Sequence, residues 1–306
     1  MQHWTHTHAG LRRDHNEDAF LVESALGLFG VADGIGGYAG GEVASAEAVR
    51  VIARQLHRQR GRIERLGDPD DMVNREQLTL ALRLAVKAAN CAIRRLSGRE
   101  GRDERMGTTF CGGIISGRQA LIANVGDSRA YLLRDGALSQ LTADHTVTAE
   151  QVRLGLLTQK EADASELRHM LRQALGASRR VEPDIVSVTL QAGDRLLFCS
   201  DGVHDQIAHE TLAGIMADAD GNRAVERLIE AANQAGGVDN ATAVLVAIPA
   251  SADRQPGRDV AASRPTLRDL PLFCKLDQGE LGRLIAVAER RRSDGSGSPP
   301  RAAAES

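Results

Sequence analysis

Several carboxylates in this chain fall where a fold could bring them together. Asp33, Asp127 and Asp201 each follow a short apolar run, and Asp239 precedes one. Asp18, preceded by Asn16-Glu17, adds another acid near the first run. Carboxylates gathered at strand ends repel one another and lose hydration, which is costly unless compensated. A cation removes that cost. Oxygen donors with no His or Cys partner point to a hard ion, Mg²⁺ or Mn²⁺. In Asp33-Gly34-Ile35-Gly36-Gly37 the glycines let the backbone turn sharply and expose a carbonyl as a further oxygen ligand. A plain flexible turn explains that loop equally well. No Gly-Lys-Ser/Thr follows, which argues against a nucleotide-phosphate loop. Arg13, five residues before Asp18, could hold two phosphate oxygens in a planar fork. Read alone, it is equally a surface arginine like its neighbour Arg12.

The elements that must position these residues are short. Gly27–Ala32 runs into Asp33-Gly34, Ala120–Val125 into Gly126-Asp127, and Arg195–Cys199 into Ser200-Asp201-Gly202. Ala241–Ile248 follows Asp239-Asn240 directly. All four read as strands, and Arg129–Leu141 reads as a hairpin turning at Asp135-Gly136. Helices are predicted over Glu42–Gln59, Glu76–Leu96 and Arg223–Gln234, the last ended by Gly236-Gly237. In the second, Leu78, Leu82, Val86, Ala89, Ile93 and Leu96 share one face. Strands cluster before and after the paired helices, which predicts an α+β domain with antiparallel sheets.

Composition sets outer bounds. The chain has 306 residues, 42% hydrophobic and only 3% aromatic, so aliphatic side chains must fill its core. A net charge of -3 gives no electrostatic footprint for nucleic acid or an anionic membrane. Cys91, Cys111, Cys199 and Cys274 form no CxxC pair and read as buried thiols of a reducing compartment. His3, His6 and His8 read as an ordinary polar terminus. No signal peptide and no transmembrane run is evident, so a cytoplasmic location is expected. Residues 1–249 read as one globular unit and 250–265 as a linker. Residues 266–292 carry a short amphipathic segment, and 293–306 form a disordered tail.

The ordered motifs are Arg13-x-x-Asn-Glu-Asp18, Val31-Ala-Asp-Gly-Ile-Gly-Gly37, Gly107-Thr-Thr109, Asn124-Val-Gly-Asp-Ser-Arg129, Asp144-His-Thr146, Ser200-Asp-Gly202 and Asp239-Asn240. Over about residues 5–249 this set resembles the metal-dependent serine/threonine protein phosphatases of type 2C, particularly their compact bacterial members. The resemblance implies a four-layer α/β/β/α sandwich with two central antiparallel sheets and metals at one edge. It implies that Asp33 bridges two Mn²⁺ or Mg²⁺ ions, with the Gly34 carbonyl, Asp201 and Asp239 as further ligands. Glu17 and Asp18 would act directly or through metal-bound water. Asp127 matches a position that helps hold a third, weaker ion, with Asp205 as a candidate contributor. Arg13 matches the phosphate-binding arginine, and Arg13, Asp18 and Asp33 would carry the catalysis.

Two such ions would lower the pKa of a shared water and orient it for in-line attack on phosphorus. No Ser or Cys nucleophile is then needed, and Cys199 reads as a core strand residue. A Cys-x5-Arg loop is absent, because Asp205 stands where its Arg would be. Two departures from the pattern stand out. Many eukaryotic relatives carry a His at the position of Ile35, proposed to protonate the leaving group; bacterial members commonly lack it, Ile35 cannot serve, and the sequence leaves the donor open, with metal-bound water one candidate. Tyr38 stands where many bacterial members have His.

By resemblance, residues 146–180 would form a mobile flap beside the site, where protein substrates are selected. Leu267–Leu276, with Glu280-Leu281 and Leu284-Ile285, resembles the opening helices of a cyclic-nucleotide-binding domain. No barrel follows, so a docking helix or a remnant is the plainer reading. The expected partners are phosphorylated proteins and a bacterial Ser/Thr kinase whose work the chain reverses. The alternative is a non-catalytic module on the same fold that senses metal or phosphoproteins. A phosphatase of a stress-response partner switch is a third reading.

Overall fold

The computed structural model describes residues 1–35, 40–68, 70–97 and 106–249. These residues fall within one compact unit. Gly36, Gly37, Tyr38 and Cys274, and the expected linker, amphipathic segment and tail, lie outside the described residues.

The chain opens with β1 (Gln2–His8), β2 (Ala19–Glu23), β3 (Leu28–Ala32) and the two-residue β4 (Gly34–Ile35). Helices α1 (Gly40–His57), α2 (Arg60–Glu64) and α3 (Met72–Ser97) follow. Next come β5 (Gly107–Thr108), β6 (Phe110–Ser116), β7 (Gln119–Val125), β8 (Arg129–Arg134) and β9 (Ala137–Gln140). After α4 (Val147–Arg153) and α5 (Gln159–Asp163), the chain forms β10 (Asp184–Thr189) and β11 (Arg195–Cys199). It then folds into α6 (Asp201–His204), α7 (His209–Met216), α8 (Gly221–Gln234) and β12 (Ala241–Ala247).

Two five-stranded sheets, ordered β1-β12-β11-β8-β9 and β10-β7-β6-β3-β2, are antiparallel throughout. Three apolar layers join them to each other and to the helices. Val31, Ile122, Phe198 and Val244 pack between the sheets. Leu28 and Leu121 face Ile52 of α1 and Leu82 and Val86 of α3 on one outer side. Leu197 and Leu245 face Leu212 of α7 and Leu228 of α8 on the other. The result is the expected four-layer α/β/β/α sandwich. Central strands covered on both faces carry continuous apolar runs, which is why β3, β7, β11 and β12 stand out in the sequence.

Helix boundaries follow the caps. α3 begins four residues before the expected Glu76, because the Asp71 carboxylate accepts the Asn74 N–H at 3.0 Å. α8 begins at Gly221, where Asp220 accepts from Asn222 and Arg223. Two expectations need correction. His3, His6 and His8 do not belong to an ordinary polar terminus: Gln2–His8 pairs with β12 from Gln2↔Ala247 to His8↔Ala241. As an edge strand it faces solvent on alternate residues, so its sequence shows no continuous apolar run. Cys91 is exposed rather than buried, since it sits on the outer face of α3; Cys111 and Cys199 are buried.

The expected flap segment contains α4 and α5 and is pinned at both ends. Val147 N–H donates to Met170 O at 2.9 Å, Arg172 N–H to His145 O at 2.7 Å, and Leu175 N–H to Thr108 O at 2.8 Å.

Candidate metal and phosphate site

Asp33 leaves β3, Asp127 follows β7, Asp201 follows β11 and Asp239 precedes β12, all at one edge of the sandwich. Asp33 is fixed through its backbone. Thr109 N–H donates to Asp33 O at 2.8 Å, and the Thr109 hydroxyl accepts the Asp33 N–H at 2.9 Å. The Thr108 hydroxyl adds a second bond to Asp33 O at 2.8 Å. Next along the chain, a Cβ on Gly34 would lie 2.5 Å from the carbonyl oxygens of Glu17 and Gly41, so only glycine lets these backbones converge. Gly202 is under the same constraint, with Asn240 O 2.0 Å from a would-be Cβ.

The loop bearing Arg13, Glu17 and Asp18 is stapled to β12 by Asn240. Its Oδ1 accepts the Glu17 N–H at 2.8 Å, and its Nδ2 donates to Ala9 O and His15 O at 2.9 Å. Asp18 Oδ2 accepts from Ser200 Oγ at 2.7 Å and Thr242 Oγ1 at 2.6 Å. Arg13 Nη2 reaches Asp239 Oδ2 at 2.7 Å from a half-exposed position at the rim.

The electrostatics show what the cluster lacks. Burial pushes the Asp18 carboxyl up to about 7, against its two hydroxyl donors, with Asp201 and Asp239 adding repulsion. Burial also lifts Asp127 to about 7, with Asp201 as the main repelling charge. Asp33 is raised well above the carboxylate range by burial and by the charges of Asp201, Asp18 and Asp127. Asp201 is raised as well, by burial first. Glu17 is raised by burial and partly offset by Arg13. Asp18 Oδ1 and Asp201 Oδ1 are buried with no hydrogen-bond partner. Buried acceptors left unpaired beside repelling carboxylates fit a hard divalent cation, because one such charge satisfies several of them at once. The donor set present therefore suits Mn²⁺ or Mg²⁺.

Beside this cluster, His204 Nε2 lies 3.0 Å from Asp127 O, and its Nδ1 lies 3.0 Å from Asp205 Oδ1. His169, from the segment after α5, places Nδ1 3.3 Å from Asp205 Oδ2. Burial works against the Asp205 anion, but His204, Arg129 and His169 together outweigh it and hold the carboxyl below its usual range. His169, Asp201 and Asp205 offer ligand atoms within 4.8 Å of one another. A cleft of about 920 Å³ opens at the cluster, lined by Arg13, Asp127, Asp201 and Asp239 together with Asp163, Arg168 and His169. Ile35 is 39% exposed and carries no titratable group.

Arg13, Glu17, Asp18, Asp33, Gly34, Asp127, Asp201 and Asp239 are thus brought to one edge. Sequence reasoning assigned no role to Thr242, Asn240, Thr109 or His204. Asn240 and Thr109 lay inside quoted motifs, whose polar residues beside each acid were the available signal. Thr242 alternates with core residues on β12 and gave none.

The chain from residue 5 to 247 matches the family model described as protein phosphatase 2C. The serine/threonine protein phosphatase PstP of Mycobacterium tuberculosis is 36% identical over 236 residues, 77% of this chain. That match takes in 43% of PstP, so the chain spans less than half the length of this relative. The serine/threonine phosphatase stp of Listeria monocytogenes is 33% identical over 259 residues, 83% of this chain and 98% of that protein. A crystal structure of the M. tuberculosis phosphatase PstP/Ppp superposes with a TM-score of 0.71 at 34% identity, covering 81% of this chain and 98% of that one. The catalytic domain of PstP with two manganese ions superposes with a TM-score of 0.67 at 34% identity, covering 80% and 96%. Fold, motif order and these likenesses agree: the chain belongs to the protein phosphatase 2C family.

Proposed function

We propose that the chain is a metal-dependent phosphatase that hydrolyses phosphoserine and phosphothreonine on proteins. The observation that carries this reading is the buried carboxylate cluster, in which Asp18 Oδ1 and Asp201 Oδ1 have no partner and Asp33 is pushed well above the carboxylate range by burial and by Asp201. Asp33, Asp201, Asp239 and the Gly34 carbonyl would hold two Mn²⁺ or Mg²⁺ ions, with Glu17 and Asp18 beside them. Asp127 would help hold a third, weaker one, with Asp205 as a candidate contributor. The names of the bacterial relatives and the two manganese ions of the PstP catalytic domain support this reading.

Bound ions supply a water of lowered pKa and neutralise charge on the phosphoryl group. The protein's own part is positioning. Ser200 and Thr242 donate to Asp18 Oδ2 and fix the carboxylate, whose buried Oδ1 is left without a protein partner. Thr108 and Thr109 lock the backbone of Asp33. Arg13 stands at the mouth of the cleft, where its fork can grip two phosphate oxygens. The cleft is open enough for a phosphorylated side chain on a protein. Such substrates carry phosphate placed by a Ser/Thr kinase, and this chain reverses that transfer. The free thiols of Cys111 and Cys199 suit a reducing, cytoplasmic setting.

The test is phosphate release from a phosphothreonine peptide. Release with Mn²⁺ and none with EDTA is expected. A folded, metal-loaded protein that releases no phosphate from any phosphopeptide would replace this reading with the binding-module alternative.

A further inference from the structure

Helix α3 packs Leu78, Leu82, Val86, Ala89 and Ile93 into the core and turns another stripe to solvent. Val73 is 66% exposed, Leu80 and Leu84 are each 55% exposed, and Cys91 is exposed. Monomeric surfaces carry scattered apolar residues, but these fall in a regular order. Val73, Gln77, Leu80, Leu84, Lys87, Cys91 and Arg94 follow one another at alternating spacings of three and four. That is the spacing of a seam between two helices.

The seam is also self-complementary. Turned end for end and laid on a second copy, it sets Leu80 against Leu84, Val73 against Cys91 and Gln77 against Lys87, and brings the acidic residues before the helix to the Arg94 end. The ends carry opposite charge: Asp68, Asp70 and Asp71 precede the helix, while Arg94 and Arg95 close it. A parallel pairing would place like charge on like charge at both ends. Lys87 also contacts Glu182 at 2.7 Å, which fixes its ammonium beside the seam.

We propose that α3 is a self-association surface, on which two copies of this chain pack their α3 helices antiparallel about a twofold axis between Leu80 and Leu84. The occupant is a second copy because the stripe matches its own reverse in both apolarity and charge. No seam residue lines the cleft over the carboxylate cluster, so the dimer leaves the proposed phosphatase site free. The seam spans ~32 Å of helix, which places the contact among small interfaces.

Two measurements test it on the full chain with Cys274→Ser. In sedimentation equilibrium, the expected mass at high micromolar loading is that of a dimer. Leu80→Glu with Leu84→Glu is expected to yield a monomer with an unchanged melting temperature and unchanged phosphate release. Asp70→Arg and Arg94→Glu each set like charges together at both ends and weaken association by about tenfold. An equimolar mixture of the two pairs them correctly and restores the dimer. In oxidative cross-linking, Val73→Cys is expected to join Cys91 of a second copy. Within one copy those positions are ~27 Å apart along a rigid helix, far beyond disulfide reach. The cross-link must vanish with Cys91→Ser. A monomer at every loading, a mixture no tighter than its components, or a cross-link that survives Cys91→Ser would overturn the proposal.

Discussion

Arg13 Nη2 lies 2.7 Å from Asp239 Oδ2, so the expected phosphate-gripping residue is paired with a carboxylate of the proposed metal site. The contact raises the guanidinium above its ordinary range, through the Asp239 hydrogen bond first. It also ties the position of the phosphate grip to the metal cluster. Cations drawing on Asp239 would loosen its hold on Arg13 and release the fork toward substrate.

Replacing Arg13 by Ala should therefore cost little stability, below about 1 kcal/mol, because the pair is half-exposed. It should lower kcat/KM on a phosphopeptide by about 30- to 100-fold, the loss of a charged bidentate contact. Arg13→Lys, which keeps the charge but not the fork, should fall between. Steady-state kinetics at saturating Mn²⁺ checks the order.

Thr242→Val removes one of the two donors to Asp18 Oδ2 without changing side-chain shape. Outer-shell partners of metal ligands are worth about 10- to 100-fold in affinity, so Mn²⁺ should bind at least about tenfold more weakly. Fluorescence-monitored metal titration of the variant reads this directly.

Asn240→Ala deletes the acceptor for Glu17 N–H and the donor for Ala9 O and His15 O. With these backbone groups unpaired, stability should fall by roughly 2–4 kcal/mol. Urea unfolding should show a lower midpoint with an unchanged slope. An unchanged midpoint would mean that water replaces the staple at no cost.

For the metal-free protein, the carboxyls of Asp18 and Asp127 stand at about 7 against an ordinary 3.8. Between those values the folded state binds more protons than the unfolded state. Its stability must therefore fall as pH rises from about 4 to about 7. In EDTA the melting temperature should drop across that interval. Saturating Mn²⁺ should reverse the loss at pH 7.5, raising the melting temperature by about 5–10 °C.

The sequence shows the core of the fold clearly and its rim poorly. β11 was readable to the residue, and β3, β7 and β12 nearly so, because strands covered on both faces leave continuous apolar runs. β1 escaped because an edge strand shares its faces with solvent, and its His and Thr residues hide the pairing. Cys91 was misplaced because a short thiol gives no sign of which helix face it occupies. In the site, the acids were legible as carboxylates that nothing nearby neutralises. The network that holds them was not: Thr242 and Asn240 reach Asp18 and Glu17 across more than two hundred residues. Such contacts exist only once the sheets have formed.

The central claim is that Asp33 organises a cation centre among these carboxylates, and calorimetric titration of the chelated protein with Mn²⁺ tests it most directly. Wild type should bind two ions tightly at neutral pH, and Asp33→Asn should lose both together while remaining folded. Absent binding in wild type, or two tight sites surviving in Asp33→Asn, would contradict the account.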